Sequence, residues 1–123
     1  MKSKESINWL PKPEAHNFPA AESYLNLFYD ESISADLVKR LKAAPKKEFK
    51  AKDIFRASGL SLLGVSNSHV DKDKKKIKKG IPLSPILLVR DGALGKVIIA
   101  DGYHRLCAVY IFDEDANIPC RIV

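Results

Sequence analysis

Apolar and polar positions follow two different periods along this chain, and the change from one to the other falls near residue 80. The first 18 residues carry no clear period, and the string Trp9-Leu10-Pro11-Lys12-Pro13 reads as an extended arm that packs Trp9 and Leu10 on the body. Pro19 suits the first turn of a helix, with Tyr24, Leu25, Phe28 and Tyr29 on one stripe at helical spacing. Ser34 is expected to cap a second helix in which Leu37, Val38 and Leu41 face inward, with Pro45 just past its end. A third short helix is expected from Ala51 to Ser58, closed by Gly59. Residues 66–79 are polar except for Val70 and Ile77, a heptad apart, which predicts a lysine-rich surface helix held by one narrow stripe and ended by Gly80.

Beyond Gly80 the pattern becomes extended. Ile86-Leu87-Leu88-Val89 reads as a buried strand, and Asp91-Gly92-Ala93-Leu94-Gly95 as a turn. Val97-Ile98-Ile99-Ala100 is the second strand of the resulting hairpin. After Asp101-Gly102 the helical period returns, with Leu106, Tyr110 and either Cys107 or Ile111 facing inward; Ile118 to Val123 is a closing strand. The expectation is a single α+β domain. Residues 1–65 form a helical extension of three or four helices, and residues 66–123 form a core. Its sheet has strands near 85–90, 96–101 and 118–123, crossed by a helix near 102–113. No internal repeat is visible.

Composition adds limits. With 123 residues, 46% apolar and 29% charged, the chain has a globular make-up. No apolar run approaches the roughly 20 residues of a membrane span. The charged start Met1-Lys2-Ser3-Lys4-Glu5-Ser6 lacks an apolar run after it, so no signal peptide is expected. Cys107 and Cys120 are too few for a disulfide framework or a zinc site, which makes a reducing, cytoplasmic location the expectation. Residues 36–52 carry +5 and residues 66–80 carry +4 of a total of +6, so the rest sums to −3. Local basic surface on a mildly acidic body suits a phosphate-bearing partner, a nucleotide or a nucleic acid; it also suits plain solvation of helix faces. Lys52 and Arg56, four apart, are either a pair reaching a phosphate or a surface pair over the core residues Ile54 and Phe55.

The most informative feature is the apolar strand that runs straight into Asp101-Gly102-Tyr103-His104-Arg105 and a helix. Unpaired N–H groups and the helix dipole favour an anion there. Gly102 removes a side chain where a phosphate would meet the backbone, Arg105 supplies a fork of donors, and His104 donates a hydrogen bond or moves a proton. Asp101 either caps the helix or holds a metal ion, Mg²⁺, bound to the phosphates. An ordinary turn followed by an exposed first helical turn would give the same five letters.

The segment from about Lys76 to Ile122 resembles the core of the ParB/sulfiredoxin superfamily. The resemblance is carried by the lysine-containing helix ending in Gly80 and by Ile81-Pro82-Leu83-Ser84-Pro85-Ile86-Leu87-Leu88-Val89. It continues through the glycine-containing hairpin, Asp101-Gly102-Tyr103-His104-Arg105 and Ile118-Pro119-Cys120. In ParB-like domains the corresponding turn begins with Gly and carries arginines that contact nucleotide phosphates. In sulfiredoxins it reads Gly-Cys-His-Arg and binds ATP phosphates, and in related free-serine kinases it reads Asp-Gly-His-His-Arg. The resemblance covers a little over a third of the chain and leaves residues 1–65 unmatched. Tyr103 stands where the sulfiredoxin cysteine would fall, so that chemistry is expected to be absent. His104 replaces a ParB arginine, and no helix-turn-helix is recognisable.

Three functions follow. The first is a nucleotide-binding domain (ATP or another nucleotide) with phosphohydrolase or phosphotransferase activity. In it Gly102, Tyr103, His104 and Arg105 hold the phosphates, Asp101, His104 and Arg105 do the chemistry, and Lys76, Lys78 and Lys79 close over the site. The second is a DNA- or RNA-binding accessory protein using the lysine-rich segments. The third is a binding scaffold without chemistry.

Overall fold

The apolar run at residues 86–89 becomes an inner strand of a sheet, and the rest of the fold is arranged on its two faces. The computed structural model describes residues 6–123; the charged first five positions of the expected arm lie outside the described residues. The elements are α1 (Asn17–Leu25), α2 (Glu31–Ala43), β1 (Lys47–Lys50), α3 (Ala51–Ser58), α4 (Ser68–Lys79), β2 (Ile86–Asp91), β3 (Lys96–Asp101), α5 (Tyr103–Phe112) and β4 (Asn117–Ile122). The chain is α+β, with an N-terminal helical stretch and a mixed four-stranded sheet in the order β1-β4-β2-β3. β2 runs parallel to β4, while β3 pairs antiparallel with β2 and β1 antiparallel with β4.

Successive residues of β2 serve opposite faces. Leu87 and Val89 join Ile98 and Ala100 under α1 and α2, meeting Phe18, Leu25, Leu37 and Leu41. Ile86 and Leu88 join Ile118 and Cys120 under α3, α4 and α5, meeting Ile54, Val70, Ile77 and Leu106. That two-sided burial is why this strand is continuously apolar. Val70 and Ile77 are the two buried positions of α4, as their heptad spacing predicts. α4 ends at Gly80 with φ +73°, and the next amide, Ile81 N–H, bonds back to the Lys76 carbonyl at 2.9 Å. α3 occupies the expected 51–58 with Gly59 at φ +69°.

Several expectations need correction. Ser34 does not cap α2: Asp30 does, its carboxylate accepting from the Ile33 N–H at 3.0 Å, while Ser34 is buried one turn in. The stripe from Tyr24 to Tyr29 is not one helical face, because α1 stops at Leu25. Leu25 is buried, Tyr24 and Phe28 are exposed, and Tyr29 is half-buried. The sheet has a fourth strand, β1, in Lys47-Glu48-Phe49-Lys50. With one apolar residue that segment has no strand period; its pairing is decided by β4, Phe49 opposite Ile118 and Lys47 opposite Cys120. Charged positions suit a sheet edge. Lys52 is held by Asp115 at 2.7 Å, which gives it a surface ion pair.

The arm docks through backbone pairing. Leu83 N–H donates to the Asn8 carbonyl at 2.9 Å and Leu10 N–H to the Leu83 carbonyl at 2.8 Å. Trp9 packs against the cluster under α3–α5. Where the arm enters α1, the buried Asn17 accepts from the Ser84 hydroxyl at 2.7 Å and from the Glu14 N–H at 2.8 Å. This ties the start of α1 to the residues just before β2. Among the described residues, no helix is long and apolar enough to cross a membrane.

Candidate functional site

The turn from β3 into α5 is set by packing beneath it. Gly102 takes φ +113°, and a Cβ there would lie 2.3 Å from Ile86 Cγ2 and 2.8 Å from Ile86 Cβ. The glycine is therefore required by Ile86 and by its backbone conformation. A Cβ there would also lie 2.9 Å from Arg105 Nη2, so the missing side chain clears both the core beneath the turn and the guanidinium beside it. No side chain caps α5, so the N–H groups of its first turn are left without an intrahelical partner.

Asp101 does not cap the helix either. Its Oδ2 accepts from Arg105 Nη2 at 3.0 Å, in an ion pair whose side chains are only 18% and 17% exposed. Arg105 Nη2 also reaches the Pro85 carbonyl at 3.5 Å, and its Nε is buried without a protein partner. The guanidinium is thereby fixed at the mouth of α5 rather than swinging in solvent. The same pairing bears on the metal expected at Asp101. One carboxylate oxygen is committed to a cation, and no three His, Cys, Asp or Glu side chains gather as a metal site among the described residues. These residues do not fit a resident metal ion.

In front of this turn lies a cavity of about 330 Å³. Asp101, Gly102, Tyr103, His104 and Arg105 form one wall, and His69, Lys72, Asp73 and Lys76 of α4 form the other, with His16 contributed from the start of α1. The chain has three histidines, and all three line this one cavity. The His69 and His104 rings lie 4.8 Å apart at 35°, and Tyr103 follows 5.8 Å from His104. Tyr103 is anchored by its hydroxyl, which donates to the Ser61 carbonyl. Burial, then the neighbouring His69, hold His104 below its ordinary pKa; Asp73 opposes them and Arg105 adds to them. Burial pushes Asp73 up, against the pull of Lys76, Arg105, His104 and Lys72. With neutral histidines the walls carry three cations, Lys72, Lys76 and Arg105, against Asp73 and Asp101.

A second groove, of about 390 Å³, adjoins the cavity through the shared Lys72 and Lys76 and adds Lys75 and Lys79. Of the lysines expected to close over the site, Lys76 faces the cavity, Lys79 lines the adjoining groove, and Lys78 lines neither. The sequence reading missed His16, His69, Lys72 and Asp73. The spacing of Lys72 and Lys76 with His69 along α4 was a usable signal: positions 69, 72, 73 and 76 share one helical face. His16 had none, since only the arm's docking brings it there. Cys107 is fully buried and its thiol is pushed up by burial, which suits a core residue and not a nucleophile.

No family model, no curated protein and no solved structure matched this chain. The site stands on its own geometry.

Proposed function

We propose that the cavity between α4 and the start of α5 binds a phosphate-bearing ligand of nucleotide type. The observation that carries this reading is the convergence of Lys72, Lys76 and Arg105 with the uncapped first turn of α5 on one polar cavity. Helix-start amides and guanidinium donors together suit phosphate oxygens. In this reading Tyr103 and His104 bring amides and ring edges to the ligand, and Asp101 holds Arg105 in place. Lys76 and Lys72 neutralise charge from the facing helix. The resemblance of residues 76–122 to nucleotide-binding ParB/sulfiredoxin domains points the same way. Phosphohydrolase or phosphotransferase chemistry at His104 and Arg105 belongs to the same proposal.

Titration calorimetry with ATP, ADP and CTP tests it. The wild type binds at least one of them, and Arg105→Ala weakens binding about 10- to 100-fold, the equivalent of one or two charge-assisted hydrogen bonds. Because Arg105 also serves the fold, Lys72→Glu/Lys76→Glu is the companion variant and loses binding while keeping its unfolding midpoint. Equal affinity in all three proteins, or no binding by the wild type, refutes the site.

A nucleic-acid reading through lysine-rich surface is favoured by one observation, the groove of Lys72, Lys75, Lys76 and Lys79 that continues from the cavity.

A further inference from the structure

Three features of the cavity are left over once a phosphate is seated in it. Its walls hold every histidine of the chain, drawn from three separate segments at positions 16, 69 and 104. Two of these imidazoles face each other at 4.8 Å. The cationic wall also does not stop at the cavity. Lys72, Lys75, Lys76 and Lys79 span eight residues of α4, about 10 Å of helix, which is more than one phosphate occupies. A single nucleotide uses the cavity and leaves the groove; a chain of linked phosphates uses both.

We infer that this cavity is the catalytic centre of a metal-independent ribonuclease, in which the His69–His104 pair cleaves RNA by attack of its own 2′-hydroxyl. The inference deepens the phosphate-site reading and rests on it. Two imidazoles are the groups such a reaction needs, one to take a proton and one to give it. RNA carries its nucleophile next to each phosphorus, so no water has to be activated, and among the described residues no three His, Cys, Asp or Glu side chains gather to hold a metal for that purpose. DNA has no such hydroxyl.

The roles follow from the surroundings. His104, whose charged form is disfavoured by burial and then by His69 beside it, takes the proton of the 2′-hydroxyl on a ring nitrogen. The 2′-oxygen forms a bond to phosphorus as the bond from phosphorus to the 5′-oxygen breaks. His69, exposed on α4, gives its proton to the leaving 5′-oxygen. The products are a 2′,3′-cyclic phosphate and a free 5′-hydroxyl; His104 ends protonated and His69 neutral, and exchange with solvent restores both. Arg105 and Lys76 lie where charge builds up on the phosphorus-bound oxygens. Lys75 and Lys79 hold the next phosphates along the strand.

The experiment is cleavage of a labelled single-stranded RNA by the full chain in EDTA, beside the same sequence as DNA and as fully 2′-O-methylated RNA. The expected result is cleavage of the RNA alone, leaving cyclic phosphate ends. His104→Ala and His69→Ala each slow it about 100-fold or more, with the unfolding midpoint retained in both. Lys75→Glu/Lys79→Glu raises KM and leaves kcat nearly unchanged. Equal cleavage by wild type and His104→Ala, cleavage of DNA, abolition by EDTA, or an unchanged KM in the groove variant each overturns the inference. Intact RNA in a protein that still binds nucleotide through Arg105 overturns the ribonuclease and spares the phosphate site. Loss of nucleotide binding altogether removes both.

Discussion

At the scale of single residues, Gly102 is the position on which the site's shape depends. Its φ of +113° and the 2.3 Å approach of Ile86 Cγ2 to a built Cβ leave no room for alanine. Overpacking and a left-handed alanine together cost about 2–4 kcal/mol, so Gly102→Ala is expected to lower the urea midpoint by that equivalent. It is also expected to weaken nucleotide binding, because the strand-to-helix turn has to open. Ile86→Ala in the same protein removes the 2.3 Å contact but leaves the residue-86 Cβ at 2.8 Å and Arg105 Nη2 at 2.9 Å, so it is expected to recover only part of the lost stability. Asp101 and Arg105 belong to this scale too. Their pairing at 3.0 Å in a poorly solvated spot means that removing either one leaves a charge uncompensated. Both were singled out in the sequence; that they hold each other was not legible, because a four-residue spacing states proximity and not direction.

Among elements, the contact between the α1–α2 connection and the hairpin turn gives a pH-dependent expectation. The Tyr29 hydroxyl donates to Asp91 Oδ2 at 2.5 Å, and Leu94 N–H donates to Asp91 Oδ1 at 2.8 Å. Burial first, and the Asp91 carboxylate second, push the Tyr29 phenol up to about 12. The Tyr29 hydrogen bond, then the Leu94 amide, hold the Asp91 carboxyl down. A raised phenol stabilises the fold fully below its ordinary value near 10 and loses that contribution as pH rises toward 12. A lowered carboxyl stabilises above its ordinary range and loses that contribution as pH falls through its folded value. The stability difference between wild type and Tyr29→Phe should therefore shrink between pH 10 and 12, read as urea midpoints across that window. It should shrink again in acid. If the difference stays constant through the alkaline window, Tyr29 does not titrate with folding. Helix α4 is the other element with a consequence: two buried residues hold it, so its polar faces are free to serve the cavity and the groove.

On the scale of the whole molecule, the sheet separates the α2 part of the first basic segment from the second. Residues of α2 pack under Leu87 and Val89, whereas α4 packs with Ile86 and Leu88 on the opposite face. Lys39, Arg40 and Lys42 of α2 therefore lie across the sheet from the lysines of α4, and of the two segments only the second borders the cavity. Reversing exposed charges on α2, Lys39→Glu with Arg40→Glu, is expected to leave nucleotide affinity within about twofold, since screening over a Debye length of about 8–10 Å isolates the two faces. Lys72→Glu/Lys76→Glu is expected to abolish binding. Calorimetry on the two double variants checks this; a comparable loss in both would mean that long-range charge, and not the cavity wall, governs the affinity.

The sequence by itself determined most of the elements, because their signals are local. Val70 and Ile77 at a heptad, Gly59 and Gly80 as left-handed helix ends, and an unbroken apolar run at 86–89 each express a short-range rule. It also picked out the turn at 101–105, where a strand gives way to a helix. What only the tertiary structure decided lies at long separation. The polar segment 47–50 becomes a strand because β4 offers it an edge. Asp30 displaces Ser34 as a cap because Ser34 is drawn into the core. His16, His69 and His104 meet because the arm pairs with Leu83 and α4 lies along α5. Periodicity records which face of an element is buried, but not which other element covers it, so a site assembled from three segments has no trace in any one of them.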